Sequence, residues 1–112
     1  MQRTPAAEQR ENRIFQALAD PSRRAIFESL TRGEAAVKDL TARFDISQPA
    51  VSQHLATLRD AGLVEGRRDG RRVLYRVDPR GMKPLIDWIA HYRAFWMANL
   101  GRLEKLLERM DK

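Results

Sequence analysis

In a chain where 32% of the residues are charged, the thirteen from Ile46 to Leu58 contain no Lys, Arg, Asp or Glu. The stretch, ISQPAVSQHLATL, also carries a helix start: Ser47 can accept an orphan backbone N–H of a first turn, and Pro49 is tolerated only within that turn. The spacing predicts a helix from about Gln48, with Val51, Leu55 and Leu58 forming one apolar stripe for burial. The other face carries Gln48, Ser52, Gln53, His54 and Thr57. A solvated face is ordinarily rich in Glu and Lys, whereas compact uncharged hydrogen-bonding groups suit a surface that approaches base edges. Pro49 and Ala50 add apolar contact for thymine methyl groups.

Close behind comes RRDGRR, Arg67 to Arg72. Asp69-Gly70 reads as a two-residue type I′ turn between strands at 64–68 and 71–77, with Val73, Tyr75 and Val77 on the face that covers a core. The net charge of +6 is unevenly placed. Residues 14–36 and 37–63 each balance, while residues 64–80 set six arginines against Glu65, Asp69 and Asp78. Half the excess therefore sits in the hairpin. Arg67, Arg68, Arg71 and Arg72 around a tight turn repel one another unless an anion is near, so they are expected to hold phosphate or enter a minor groove. A merely solvated hairpin is the bland alternative.

Upstream, residues 8–19 read as a first helix with Ile14, Phe15 and Leu18 on one side. A second opens with Asp20 as N-cap and Pro21 as its first residue, buries Ala25, Ile26, Ser29 and Leu30, and ends at Gly33. Val37, Leu40 and Phe44 mark a short third helix, joined to the neutral fourth by Asp45-Ile46-Ser47, so that residues 37–61 match a helix-turn-helix unit. Gly62 can supply the left-handed stop of the fourth helix. After Asp78-Pro79 a single long helix is expected over 81–107. Along it Trp88, Tyr92, Phe95, Trp96, Leu100 and Leu103 recur every three or four residues, more than a chain of 112 residues has interior to receive. Together with Ile14, Phe15 and Leu18 they are expected to form a homodimer interface. A cavity between the paired helices would leave room for a small-molecule effector of unidentified chemistry.

One domain, 1–112, is expected from the length. There are no cysteines, which excludes disulfides and thiolate metal sites. Met1 to Arg13 lacks an apolar segment of the export type, and no stretch approaches the length of a membrane span, so a cytoplasmic protein without a membrane partner is expected. Ser52 and His54, two residues apart on one helix, cannot face each other as nucleophile and base. No glycine-rich phosphate loop or HExxH is present either, so no enzyme, catalytic residue or cofactor is expected.

Taken in order, Ala19-Asp20-Pro21-Ser22-Arg23-Arg24 with Ile26 and Leu30, then Leu40 and Phe44, Ser47 to Leu55, Leu58, Ala61-Gly62-Leu63-Val64 and the arginine hairpin ending in Tyr75 resemble the ArsR/SmtB family of winged-helix bacterial repressors. The resemblance covers about residues 13–80. It implies a mainly α fold with a small β-hairpin, in the order α-α-α-α-β-β-α. It also implies a homodimer joined by its first and last helices, a pseudo-palindromic operator on double-stranded DNA, and repression of its own or an adjacent operon. The family's metal sensors carry cysteines where this chain has Ala36 and Lys38, and at the second metal position only Asp87 and His91 are available, too few for a four-ligand zinc site. The resemblance therefore points to a branch without metal. The rival function is a protein-interaction module that docks a partner through its aromatic C-terminal helix without reading DNA.

Overall fold

The computed structural model describes residues 4–111; Met1 to Arg3 and Lys112, which fall within the expected 1–112 domain, lie outside the described residues. The chain runs through α1 (Pro5–Ala19), α2 (Pro21–Leu30), β1 (Ala35–Ala36), α3 (Val37–Phe44), α4 (Gln48–Asp60), β2 (Val64–Asp69), β3 (Arg72–Val77), a 3₁₀ turn at Pro79–Met82, α5 (Lys83–His91) and α6 (Arg93–Met110). Mainly helical with a small antiparallel sheet, it has the expected class. Three features are additional: β1, the 3₁₀ turn and the division of the last helix.

Each start follows its cap. Thr4 accepts from the Ala7 N–H at 3.1 Å and Pro5 takes the first position, so α1 begins three residues earlier than its apolar pattern suggests. The Asp20 carboxylate accepts from the Arg23 N–H at 2.9 Å, and Ser47 from the Ala50 N–H at 3.2 Å. At α3 the cap is half a capping box: Asp39 accepts from the Ala36 N–H at 3.1 Å, and alanine has no hydroxyl to return the bond. The α4 stop is a Schellman motif. Leu63 N–H donates to the Leu58 carbonyl and Gly62 N–H to that of Arg59, with Gly62 at φ +80°.

The core is made where the helices converge: Ile14 of α1, Ile26 of α2, Leu40 of α3, the Val51-Leu55-Leu58 stripe of α4, and Leu63 are all fully buried. In α2 the inner face is Ile26, Phe27 and Leu30; Ala25 and Ser29 are only half-buried, and the helix ends at Leu30 rather than at Gly33.

The sheet has the order β1-β3-β2. Asp69 pairs with Arg72, so the two-residue loop is Gly70-Arg71, one residue later than expected. Only Gly70 of this loop has positive φ, +66°, which suits a type II′ turn and not type I′. Register places Ala35, Tyr75 and Gly66 in one row on the core face, and Ala36, Leu74 and Arg67 in the next row on the outer face. Tyr75 and Val77 cover the core as expected, but Val73, nearer the tip, has run past it and is exposed, while Leu74 is buried on the outer face.

The last helix is broken at Tyr92, whose φ of −99° and ψ of 6° are not helical. No proline or glycine marks the place. Tyr92 N–H donates to the Ile89 carbonyl at 3.2 Å, and a new helix restarts when Trp96 N–H meets the Tyr92 carbonyl at 3.1 Å. α5 is held to α1 by an edge-to-face contact of Trp88 with Phe15, ring centroids 5.4 Å apart. α6 leaves the body, so the radius of gyration is 17.6 Å where a compact chain of this length has about 13 Å.

Candidate nucleic-acid interface

α4 crosses the molecule with one stripe in the core, which divides its remaining residues into two flanks. Gln48, Pro49, Ser52 and Gln53 are exposed; Ala50, His54 and Thr57 are half-buried. The division has a local cause. Thr57 lies toward α1 and α2, lining an open groove of about 510 Å³ with Arg13, Gln16, Arg23 and Asp60, and its hydroxyl donates to the Gln53 carbonyl at 3.2 Å. His54 turns toward the start of α2, with Nδ1 enclosed and without a hydrogen-bond partner among the described residues. Both are thereby less open than Gln48, Ser52 and Gln53 on the surface that sequence spacing assigns to base contact. The same corner holds the Asp20 carboxyl below the usual aspartate range, chiefly through the Arg23 backbone N–H, with smaller help from the charges of His54 and Arg23.

The wing arginines divide as well. On the outer face Arg67 donates from Nε to Glu34 at 3.0 Å and from Nη2 to the other carboxylate oxygen; Arg76 donates to Glu65 at 2.7 Å; Arg80 bonds Asp78 at 3.1 Å and lies 3.5 Å from Glu65; Arg72 lies 3.6 Å from Asp69. Glu34 is pulled below the usual glutamate range first by the Arg67 hydrogen bond. Four carboxylates thus face four guanidiniums, and the local excess of charge resides on Arg68 and Arg71 at the tip, which have no ion-pair partner among the described residues. Of the four arginines that sequence alone treats as equal, Arg67 and Arg72 are engaged by the protein itself. Glu34 was legible only as one acid in a neutral segment; its role comes from the sheet order that brings it beside β3.

The apolar residues expected at a subunit interface also separate. Ile14, 1% exposed, belongs to the chain's own core and is removed from that surface, because it packs in one cluster with residues of α2 and α4. Leu18 is half-buried against the core. Phe15, Tyr92, Phe95, Trp96, Leu100 and Leu103 are 40–57% exposed, and Trp88 bridges Phe15 and Tyr92. Ile86 and Ile89 join this surface; the seven-residue step from Ile89 to Trp96 was the signal for the second. An apolar groove of about 250 Å³ runs along α6 beside Phe95, Trp96 and Leu103. Of the two residues at the family's second metal position, Asp87 is paired with Lys83 at 2.8 Å and His91 lies edge-on to Tyr92. Among the described residues no helix is long and apolar enough to cross a membrane.

A sequence profile described as "Bacterial regulatory protein, arsR family" matches residues 20–66, from the cap of α2 into β2. The chain is 49% identical over 74 residues to the HTH-type transcriptional regulator Rv2034 of Mycobacterium tuberculosis, covering 66% of this chain and 69% of that protein. It is 31% identical over 81 residues to the transcriptional repressor SdpR of Bacillus subtilis, covering 72% and 90%. Among solved structures it resembles an ArsR family transcriptional regulator, RHA00566, with a TM-score of 0.72 and 33% identity over 87% of this chain and 97% of the other. It also resembles the homodimeric winged helix-turn-helix DNA-binding domain of Mb0332 from Mycobacterium bovis, with a TM-score of 0.65 and 29% identity, covering 80% and 85%. By these likenesses the chain belongs to the arsR family of bacterial regulatory proteins, DNA-binding transcriptional regulators and not enzymes.

Proposed function

We propose that this protein is a homodimeric repressor of its own or an adjacent operon, and that α4 reads base edges while the hairpin tip holds the DNA backbone. The observation that carries the reading is the pairing of an exposed, uncharged face on α4 with two uncompensated arginines at the end of the neighbouring hairpin. Gln48, Ser52 and Gln53 supply hydrogen bonds and Pro49 apolar contact in the major groove. Arg68 and Arg71 meet phosphates or the adjacent minor groove. Phe15, Trp88, Tyr92, Phe95, Trp96, Leu100 and Leu103 are covered by a second copy, which disposes two α4 helices about a two-fold axis and calls for half-sites spaced by about 34 Å. The homodimeric Mb0332 domain supports that assembly.

The test is selection of duplexes from a random pool, followed by footprinting of the upstream region of the protein's own gene and transcription in vitro. A dyad-symmetric footprint with reduced transcript is the expected result. Selection that returns no duplex at low salt, from a folded dimer, overturns the reading and favours a protein-interaction module.

A further inference from the structure

The Arg67–Glu34 pair differs from the other ion pairs of the wing in what it joins. Those of Arg72, Arg76 and Arg80 lie within the hairpin or the segment just after it. Arg67 instead reaches a residue 33 positions away, in the connection between α2 and β1. Because the sheet order is β1-β3-β2, its side chain crosses β3 to get there, passing beside Leu74, its register partner. Leu74 is 7% exposed and Ala36, next in that row, 6%, although they occupy the face turned away from the core. Arg67 starts from the same row, and its charged end is held by both carboxylate oxygens of Glu34.

The hairpin needs such a tie. Its base is fixed by Leu63 and Val64 in the core, but β1 ends at Ala36, opposite Leu74, so Arg72 and Val73 have no partner on that side. The pair is exposed, 43% and 34% at the two side chains, and an ion pair in that setting adds little to global stability. We propose that Glu34 and Arg67 are positioning residues whose ion pair sets the angle at which the hairpin presents Arg68 and Arg71, and that Arg67 does not contact DNA. The two hydrogen bonds occupy the Nε–Nη2 edge of the guanidinium and direct it at Glu34, so turning the group toward a phosphate at the tip would break both.

The inference rests on the reading that Arg68 and Arg71 meet DNA, and its test separates the two. Glu34→Gln, Arg67→Ala and the charge swap Glu34→Arg/Arg67→Glu are compared with the unaltered full chain, using a duplex selected by the latter. Each single change is expected to weaken binding about three- to fivefold, the coupling of an exposed pair, with the salt slope unchanged, and the swap is expected to restore it. In the DNA-free protein, amide exchange is expected to quicken across 67–74 in both single variants and to return in the swap. If Arg67→Ala lowers the salt slope by about one, or if Glu34→Gln binds as tightly as the original or tighter, Arg67 is a phosphate contact and the proposal is overturned. Unchanged hairpin exchange overturns it too, whether or not any duplex is bound.

Discussion

Arg23, three residues into α2, donates from Nε to the carbonyl of Ala17 at 2.6 Å, in the last turn of the preceding helix. Its Nη2 reaches the Gln16 carbonyl at 3.1 Å, and Arg24 reaches that of Leu18 at 2.8 Å. α1 has no basic residue in its own last turn, so its terminal carbonyls are satisfied by the helix that follows. Asp20 caps the start of α2 in the same few residues, and one short segment closes one helix while opening the next.

Arg23→Ala is therefore expected to destabilise the fold by about 1.5–3 kcal/mol, the range for a hydrogen bond to a charged group. Denaturant unfolding measures this, and Arg23→Lys should recover only part, since an ammonium cannot span two carbonyls along a planar edge.

Asp20 gives a pH signature. Its folded carboxyl lies below the usual aspartate range because the Arg23 N–H stabilises the ionised form. Such a group contributes stability that is present above the unfolded value and is lost as pH falls through the folded one. Unfolding followed from pH 6 down to about 3 should show Asp20→Asn declining less steeply than the original chain, while equal slopes would remove Asp20 from the acid limb.

Gly81, in the 3₁₀ turn before α5, crosses Gly62 so closely that an added Cβ would run into the Gly62 carbonyl oxygen. Backbone cannot move aside as a side chain can. Gly81→Ala is expected to cost about 2 kcal/mol or more, read as a drop in thermal midpoint; Gly101→Ala, with open space around it, serves as the control and should be neutral or stabilising.

Leu103, 43% exposed on α6, is proposed to be covered by the second copy, and a two-fold dimer contains it twice. Leu103→Glu should raise the dimer dissociation constant roughly thirtyfold, on the order of 2 kcal/mol, by sedimentation equilibrium, with the circular dichroism of the folded chain preserved. DNA affinity should fall with it.

Arg68→Ala and Arg71→Ala should each flatten the salt dependence of DNA binding by about one unit of slope, whereas Gln53→Ala should lower affinity for a selected duplex and leave non-specific binding intact. Parallel titrations in several salt concentrations check the division between tip and helix.

Much of this was legible in the sequence because it is local. Ser47, Pro49, Asp20-Pro21 and Gly62 fix where helices begin and stop through bonds to neighbours three or four residues away, and the Val51-Leu55-Leu58 stripe fixes which side of α4 is buried. What the sequence does not show is what a distant partner decides. Arg67 is drawn to Glu34 by a sheet order that its spacing does not encode; His54 and Thr57 are turned inward by α1 and α2; Ile14 is claimed by the core. The Gly70-Arg71 loop shows a milder form of the same limit, since one residue of register is worth little locally but reassigns every cross-strand partner.

The crossing of Gly62 and Gly81 bears on how the protein measures length. One glycine ends the helix proposed to enter the major groove, and the other lies in the turn leading into α5, where the second copy is proposed to attach. Nothing compressible lies between them, so in the proposed dimer the distance from one reading helix to the other is set like the arm of a caliper. Operators with a base pair inserted between their half-sites would then be rejected by geometry, without any change in the bases that each half presents.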